Sequence, residues 1–262
     1  MGILDKLRPP TGLRVLVSGG AAGIGATLAA AFDEADCQVH ICDISEFALA
    51  RFQRAYPRVA ITQADARSDD DVARVFDVQQ GRFGGLDVLI NNVGVAGPTG
   101  AIERIKPDEW GNTVDVNLNS QYRFVRLGVP LLKSSANAHI LCMSSVAGRL
   151  GYGLRTPYAA TKWAIVGLMK SLAIELGADD IRVNALLPGT VEGPRMENVI
   201  RARAIQTGVS YEAMKNSYLE KISLGRMVSA DDVAAMALFL CSPGARNISG
   251  QAISIDGNLV FL

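Results

Sequence analysis

The sequence predicts an α/β protein with a doubly wound parallel sheet and helices on both faces. Two observations carry this: short β-rich apolar runs alternate with helix-period segments, and several of the runs are apolar nearly throughout. Strands covered by helices on both sides read in this way. The seven runs are Leu13–Val17, Gln38–Cys42, Val59–Gln63, Leu86–Ile90, His139–Met143, Arg182–Leu187 and Ala252–Ile255. Helical segments lie between them at Gly25–Ala35, Asp69–Gln80, Asn119–Leu132, Pro157–Leu176 and Ala230–Leu240. The last opens with S-A-D-D, in which Ser229 is an N-cap and the acids complement the helix dipole. Such repeated alternation implies right-handed crossovers between parallel strands. No linker, internal repeat or low-complexity stretch interrupts it, so residues 1–262 read as one domain. The long irregular stretch Gly189–Leu224 follows the sixth strand and contains helix-like pieces around Met196–Ile205 and Tyr211–Lys221. An insertion at the carboxyl end of a sheet strand is where a substrate lid would sit.

Bulk composition excludes several function classes. The chain is 49% hydrophobic and 20% charged, the balance of an ordinary globular protein. Its 26 Lys+Arg and 26 Asp+Glu cancel, and no basic cluster marks a nucleic-acid or anionic-membrane surface. The first ten residues lack the apolar run of a signal peptide or membrane span, which makes a cytoplasmic location the expectation. Cys37, Cys42, Cys142 and Cys241 show no C-x-x-C spacing and sit in apolar segments, so they read as buried thiols rather than as metal ligands. His40 and His139 lie in strand-like runs and receive no catalytic role.

The first strand runs into S-G-G-A-A-G-I-G, with Gly19, Gly23 and Gly25 as spaced glycines. Glycine allows a tight turn and a close approach to a pyrophosphate, which the following helix meets with its free N–H groups and positive dipole end. A glycine-rich turn alone decides little. Here it follows an apolar strand and opens an Ala-rich helix. The second strand ends at Asp43, eighteen residues after Gly25. A carboxylate there accepts the adenosine ribose hydroxyls and repels a 2′-phosphate, which favours NAD over NADP; the alternative for Asp43 is a helix cap. Neither neighbour best placed to supply a phosphate-binding cation, Ala22 or Ile44, is basic, while Arg51 and Arg54 lie further along the next helix. The third strand ends in Q-A-D-A, where Asp65 meets the adenine edge or is a surface-turn aspartate. The fourth ends in N-N-V-G, which places Asn91 and Gly94 at the same sheet edge.

The fifth strand ends in M-S-S-V-A-G. Thirteen residues beyond Ser145 comes Tyr158, and Lys162 follows four later. On a helix, positions i and i+4 share a face. A phenol near its ordinary pKa of about 10 is a poor base at neutrality, and an adjacent ammonium stabilises its anion. Tyr158 so tuned is suited to general acid–base catalysis, with the Ser145 hydroxyl holding the substrate oxygen beside it. Hydride would pass between the substrate carbon and a nicotinamide. A Tyr-x-x-x-Lys pair alone is as readily an exposed helix pair; its setting after a strand end and downstream of a glycine turn gives it meaning.

Together these residues resemble the short-chain dehydrogenase/reductase family, in its compact single-domain branch, along nearly the whole chain. The resemblance implies a Rossmann-type sheet of seven strands, a Ser–Tyr–Lys–Asn catalytic set and a homotetramer or dimer. Ser145, Tyr158 and Lys162 match the catalytic trio. Asn117, in V-D-V-N-L-N, matches the asparagine that helps hold a proton-relaying water; the residues alone give a helix-kink or cap position. The resemblance implies dinucleotide contacts at Ser18, Gly19, Gly23, Ile24, Gly25, Asp43, Asp65, Ala66, Asn91, Gly94, Tyr158, Lys162, Pro188, Gly189 and Val191, and none to a metal. Ser18 replaces the usual threonine, Val93 stands where alanine is common, Glu192 follows Val191 where threonine is frequent, and D-G-N replaces D-G-G near the end.

The pocket walls implied by the resemblance are 145–157 and 189–224, with Val146, Leu150, Tyr152, Arg155, Glu192, Arg195 and Met196 as candidates. Arg195 beside Glu192 suits a hydroxy acid or sugar derivative, or is a solvated lid contact; the apolar members suit a hydrophobic ketone or acyl thioester. The reading adopted is an NAD-dependent oxidoreductase of a small polyhydroxy or cyclic alcohol. The alternatives are a 3-oxoacyl thioester reductase, a non-catalytic dinucleotide sensor, and a nucleotide-sugar epimerase or dehydratase. Sensors of this kind typically lose the tyrosine or lysine, and the epimerases carry a larger C-terminal domain. The apolar end Leu259–Leu262 is an expected subunit contact.

Overall fold

The computed structural model describes residues 2–262. Seven parallel strands form one sheet in the order β3-β2-β1-β4-β5-β6-β7. They are β1 (Arg14–Ser18), β2 (Gln38–Asp43), β3 (Ala60–Gln63), β4 (Val88–Asn91), β5 (His139–Met143), β6 (Arg182–Pro188) and β7 (Ala252–Ile255). The order reverses between β1 and β4, whose registers pair Val15 with Val88 and Ser18 with Asn91. A crevice opens at such a reversal, outside the carboxyl ends of the strands.

Alternating strand residues feed two cores. Val15 and Val17 of β1 and Leu141 and Met143 of β5 face one side, where they meet Leu28, Phe32, Ala237 and Leu240. Leu16, Ile140 and Cys142 face the other, against Phe76, Phe124, Ile165 and Met169. The first core is covered by α1 (Gly23–Glu34), α2 (Glu46–Ala55) and α9 (Ala230–Leu240), and the second by α3 (Asp69–Phe83), α5 (Ser120–Leu132) and α6 (Thr156–Glu175). Burial on both faces explains why the strands read as near-continuous apolar runs.

Element boundaries differ from expectation where side chains intervene. The fourth run begins at Leu86 in sequence, but ladder pairing starts at Val88, because the Asp87 carboxylate accepts from the Arg14 backbone N–H at 2.8 Å and from its guanidinium at 2.7 Å. Ser229 caps α9 as expected, in a reciprocal box with Asp232 (3.1 and 2.8 Å). An unexpected helix, α4 (Pro107–Val114), continues through a π-helical turn at Asp115–Asn119 into α5.

The stretch after β6 holds α7 (Pro194–Thr207) and α8 (Tyr211–Leu219), close to the two expected pieces. Ile200, Ala204, Met214 and Tyr218 give these helices a small core of their own. The carboxyl end is split. Leu259 is 1% exposed and pairs with Ile222 within the chain, whereas Val260 and Phe261 remain exposed.

All four cysteines are buried. Burial pushes Cys37 up to about 11 and Cys42, Cys142 and Cys241 up to about 12, which leaves no thiolate near neutrality. His40, bonded to Gln79 and Thr62, is pulled by burial down to about 4. Among the described residues, no helix is long and apolar enough to cross a membrane.

Candidate active site

A cleft of about 740 Å³ runs along the carboxyl ends of β1 to β6 and under α7. One end is the glycine turn. Gly19 and Gly23 have φ of +64° and +52°, which strongly favours glycine. At Gly25 a Cβ would lie 2.0 Å from Gly19 O and 2.5 Å from Asn92 Nδ2, so only hydrogen fits. The Asn92 amide donates to the carbonyls of Ser18 (3.2 Å) and Gly19 (2.9 Å), which fixes the turn to β4. Ser18 adds a second tie: its hydroxyl accepts from the Asn92 and Val93 N–H groups at 3.1 and 3.3 Å.

No side chain caps α1, and its first turn holds no acid. Its leading N–H groups and positive dipole end therefore face the cleft uncompensated, a fit for a pyrophosphate. Asp43 stands beside this turn, with Oδ2 accepting from Ala21 N–H (3.2 Å) and Oδ1 from Ser45 N–H (3.1 Å). Ser45, not Asp43, caps α2 by accepting from Ala48 N–H. Asp65 lines the cleft too, but its carboxylate is engaged by the Arg67 guanidinium at 2.7 Å.

The other end brings Ser145, Tyr158 and Lys162 together on the wall. Close packing sets their places. At Gly148 a Cβ would come 2.6 Å from Lys162 O, and the Ser144 hydroxyl donates to that same carbonyl at 2.7 Å. The turn after β5 is thereby pressed against α6. The Lys162 ammonium is 2% exposed, donates to Met143 O at 2.8 Å and lies 5.6 Å from the centre of the Tyr158 ring. Burial pulls Lys162 from 10.5 down to about 8. Burial also pushes the Tyr158 phenol up, but Lys162 first, then Arg195, Ser145 and Arg155, outweigh it and leave Tyr158 below its ordinary value. The Ser145 hydroxyl itself accepts from Ala147 N–H at 3.2 Å.

Asn117 sits in the π-helical turn, fully buried. Its Oδ1 accepts from Val95 N–H (2.7 Å), and its Nδ2 donates to Val95 O (3.1 Å) and Thr161 Oγ1 (3.2 Å). It clips the segment after β4 to the helix that carries Tyr158 and Lys162. A π-turn inside an α-helix is a frequent mark of a functional site.

Residues 19–259 match a family profile described as enoyl-(acyl carrier protein) reductase. A tropinone reductase homolog of Arabidopsis thaliana is 32% identical over 98% of this chain and 82% of its own length. The chain belongs to the short-chain dehydrogenase/reductase family. It is an oxidoreductase of that family, whose members bind a nicotinamide dinucleotide. Two solved structures agree closely. The 3-ketoacyl-(acyl-carrier-protein) reductase from Brucella melitensis, complexed with NADH, has a TM-score of 0.85 at 30% identity, covering 94% of this chain and 98% of that one. A variant of actinorhodin polyketide ketoreductase, with NADPH, has a TM-score of 0.90 at 28% identity, covering 95% and 97%.

Within this short-chain dehydrogenase/reductase, most residues expected at the site line the cleft: Gly19, Gly23, Ile24, Gly25, Asp43, Asp65, Ala66, Gly94, Ser145, Tyr158, Lys162, Pro188, Gly189 and Val191. Ser18 and Asn117 stand behind the wall and act on what forms it. Asn91 requires a correction. It is the last residue of β4, 1% exposed, with its amide donating to Gln121 O at 3.3 Å, and the cleft wall is formed by Asn92 instead. Successive strand residues face opposite sides, and the N-N doublet did not reveal which one faced the cleft. Sequence reasoning also missed Tyr218, whose hydroxyl lies 2.6 Å from that of Tyr152.

Proposed function

We propose that this short-chain dehydrogenase/reductase interconverts a secondary alcohol and a ketone, with Tyr158 as general acid and base and NAD(H) as the preferred cofactor. The observation that carries the reading is the buried Lys162 ammonium 5.6 Å from the Tyr158 ring, on the wall of the cleft that also holds the glycine turn. A dinucleotide bound there supplies or takes up the hydride. In the reducing direction the Tyr158 hydroxyl gives its proton to the substrate oxygen, and the Lys162 charge stabilises the phenolate left behind. In the oxidising direction the phenolate takes the alcohol proton. The Ser145 hydroxyl donates to the substrate oxygen and holds it in reach. Asn117 acts as a positioning residue through Val95 and Thr161.

The preference for NAD(H) rests on Asp43, beside Ala22 and Ile44, which carry no charge. Arg51 and Arg54 do not line the cleft, and Arg67, which does, is engaged by Asp65 and Asn112. A second reading, reduction of a 3-oxoacyl thioester, is favoured by the 3-ketoacyl reductase relative, while the family profile shares with it only the acyl-carrier substrate, since enoyl reduction is a different reaction. α7 and α8 would serve as the substrate lid, since Met196, Val199 and Tyr218 reach the cleft. The test is a panel of secondary alcohols, ketones and 3-oxoacyl thioesters with NAD(H) and NADP(H), followed at the absorbance of the reduced nicotinamide. Tyr158→Phe should lower kcat by about 10²–10⁴ while dinucleotide binding persists. Turnover near the wild-type rate refutes the assignment.

A further inference from the structure

The reacting end of the cleft contains a charge that the chemistry above does not use. Arg155 precedes Tyr158 by three residues and is 2% exposed. Its Nη2 donates to Ala96 O at 2.6 Å, while Nε and Nη1 are buried with no hydrogen-bond partner among the described residues. Its guanidinium lies over two aromatic rings, 5.3 Å from the centre of Tyr152 and 5.1 Å from that of Tyr158. No carboxylate of the described residues lies in ion-pair range of it; the ion pairs of the fold are elsewhere.

Neighbouring charges have the same sign. Arg203 of α7 stacks on Tyr152 at 5.1 Å and on Tyr218 at 5.5 Å, and its buried Nε is also unpartnered. Lys162 and Arg195 complete a positively charged end. The acidic side chains on the cleft wall are Asp43 and Asp65, beside the glycine turn, and Glu192, exposed on the lid segment. A buried guanidinium with idle donors and no counter-ion is costly unless a ligand supplies one. Its planar, always-charged fork matches a carboxylate better than a neutral oxygen.

We infer that the substrate carries a carboxylate that pairs with Arg155, so that the enzyme works on short oxo acids and the corresponding hydroxy acids. The inference rests on the assignment of Tyr158 made above. Because Arg155 stacks on the Tyr158 ring itself, the carboxylate sits within a few bonds of the reacting carbonyl. It takes no part in the bond changes: the ketone carbon gains hydride, its oxygen gains the Tyr158 proton, and oxidised dinucleotide is the other product.

The experiment compares kcat/KM for acid and methyl ester in three pairs of different spacing: pyruvate, acetoacetate and levulinate, each with its methyl ester. In the wild type at least one acid should exceed its ester by 100-fold. Arg155→Lys should lower that ratio about tenfold and Arg155→Met at least 100-fold. Esters equal to or better than acids in every pair, a ratio untouched in Arg155→Met, or a 3-oxoacyl thioester as the one efficient substrate overturns the inference. Equilibrium binding of each pair to the wild type saturated with NAD, read by tryptophan fluorescence or calorimetry, needs neither turnover nor a variant that folds. Binding of one acid at least tenfold tighter than its ester supports the inference, and equal or absent binding overturns it. Failure of the parent assignment looks different: no dinucleotide binding, or wild-type turnover in Tyr158→Phe.

Discussion

Replacing Gly25 by alanine tests the cofactor end on geometry alone. The added Cβ would lie 2.0 Å from Gly19 O and 2.5 Å from Asn92 Nδ2, where ordinary contact begins at 3.4 Å. Both neighbours resist displacement, since Gly19 O is backbone and Asn92 is bonded to two carbonyls. The turn must move away from α1 by roughly the shortfall. Overpacking of this kind costs about 1–3 kcal/mol, or roughly 2–12 °C in Tm for a chain of this size. The same movement misaligns helix N–H groups that would meet the pyrophosphate. A charge-assisted hydrogen bond contributes about 1.5–3 kcal/mol, so the loss of one weakens NADH binding at least tenfold. Gly81→Ala is the control, because it lies within α3 with nothing within 4 Å of the added carbon. It should gain about 0.4–1 kcal/mol and leave NADH affinity unchanged. The assays are thermal melts and NADH fluorescence titration of both variants. Gly25→Ala binding NADH within twofold of the wild type refutes the reasoning.

Other outcomes follow from the same geometry. Asp43→Ala should weaken NADH about tenfold while NADPH holds or improves, measured by paired titrations; an unchanged preference makes Asp43 only a backbone cap. Lys162 binds its proton less tightly when folded (about 8) than in the ordinary state (10.5), so the unfolded chain holds more protons between those values and stability rises with pH across that window. Melts from pH 7.5 to 10.5 should show the wild type gaining on Lys162→Met by about 3 kcal/mol, and a constant difference contradicts the buried ammonium. Asn117→Ala removes three hydrogen bonds of a buried side chain and should cost about 1–3 kcal/mol of stability together with a fall in kcat. Loss of stability with kcat intact limits Asn117 to packing. Ser229→Ala should cost about 1 kcal/mol by denaturant titration and leave kinetics unchanged.

The parallel strands were legible because burial on both faces writes itself as unbroken apolar runs, and Ser145, Tyr158 and Lys162 because strand ends and helical spacing bring them to one edge. What was not legible depended on neighbours. The π-turn at Asp115–Asn119 has no periodic signal; it lies where Asn117 bridges Val95 and Thr161, at the position that the residues alone mark as a helix kink or cap. That Asn92 rather than Asn91 meets the cleft depends on a single step along the chain at the end of β4. Asp65 stood in the expected place, yet the engagement of its carboxylate by Arg67 two residues later appeared only in three dimensions. Arg155 was a pocket candidate in sequence, but its burial and idle donors arise from Tyr152 and Tyr158 closing around it. At the carboxyl end, Leu259 pairs with Ile222 of the same chain and Leu262 reaches the cleft, which leaves Val260 and Phe261 exposed as the part of the apolar tail free to meet a second subunit.

The most direct measurement is a crystal structure of the protein with bound NADH. The pyrophosphate should lie at the start of α1, with Lys162 Nζ within about 2.6–3.2 Å of a nicotinamide-ribose hydroxyl. The reacting ring carbon should face the space beside Tyr158, close enough for a carbonyl carbon to approach it at about 3–3.5 Å. A dinucleotide seated with its nicotinamide away from Tyr158, or Lys162 and Tyr158 aimed into different compartments, would overturn the assignment of Tyr158.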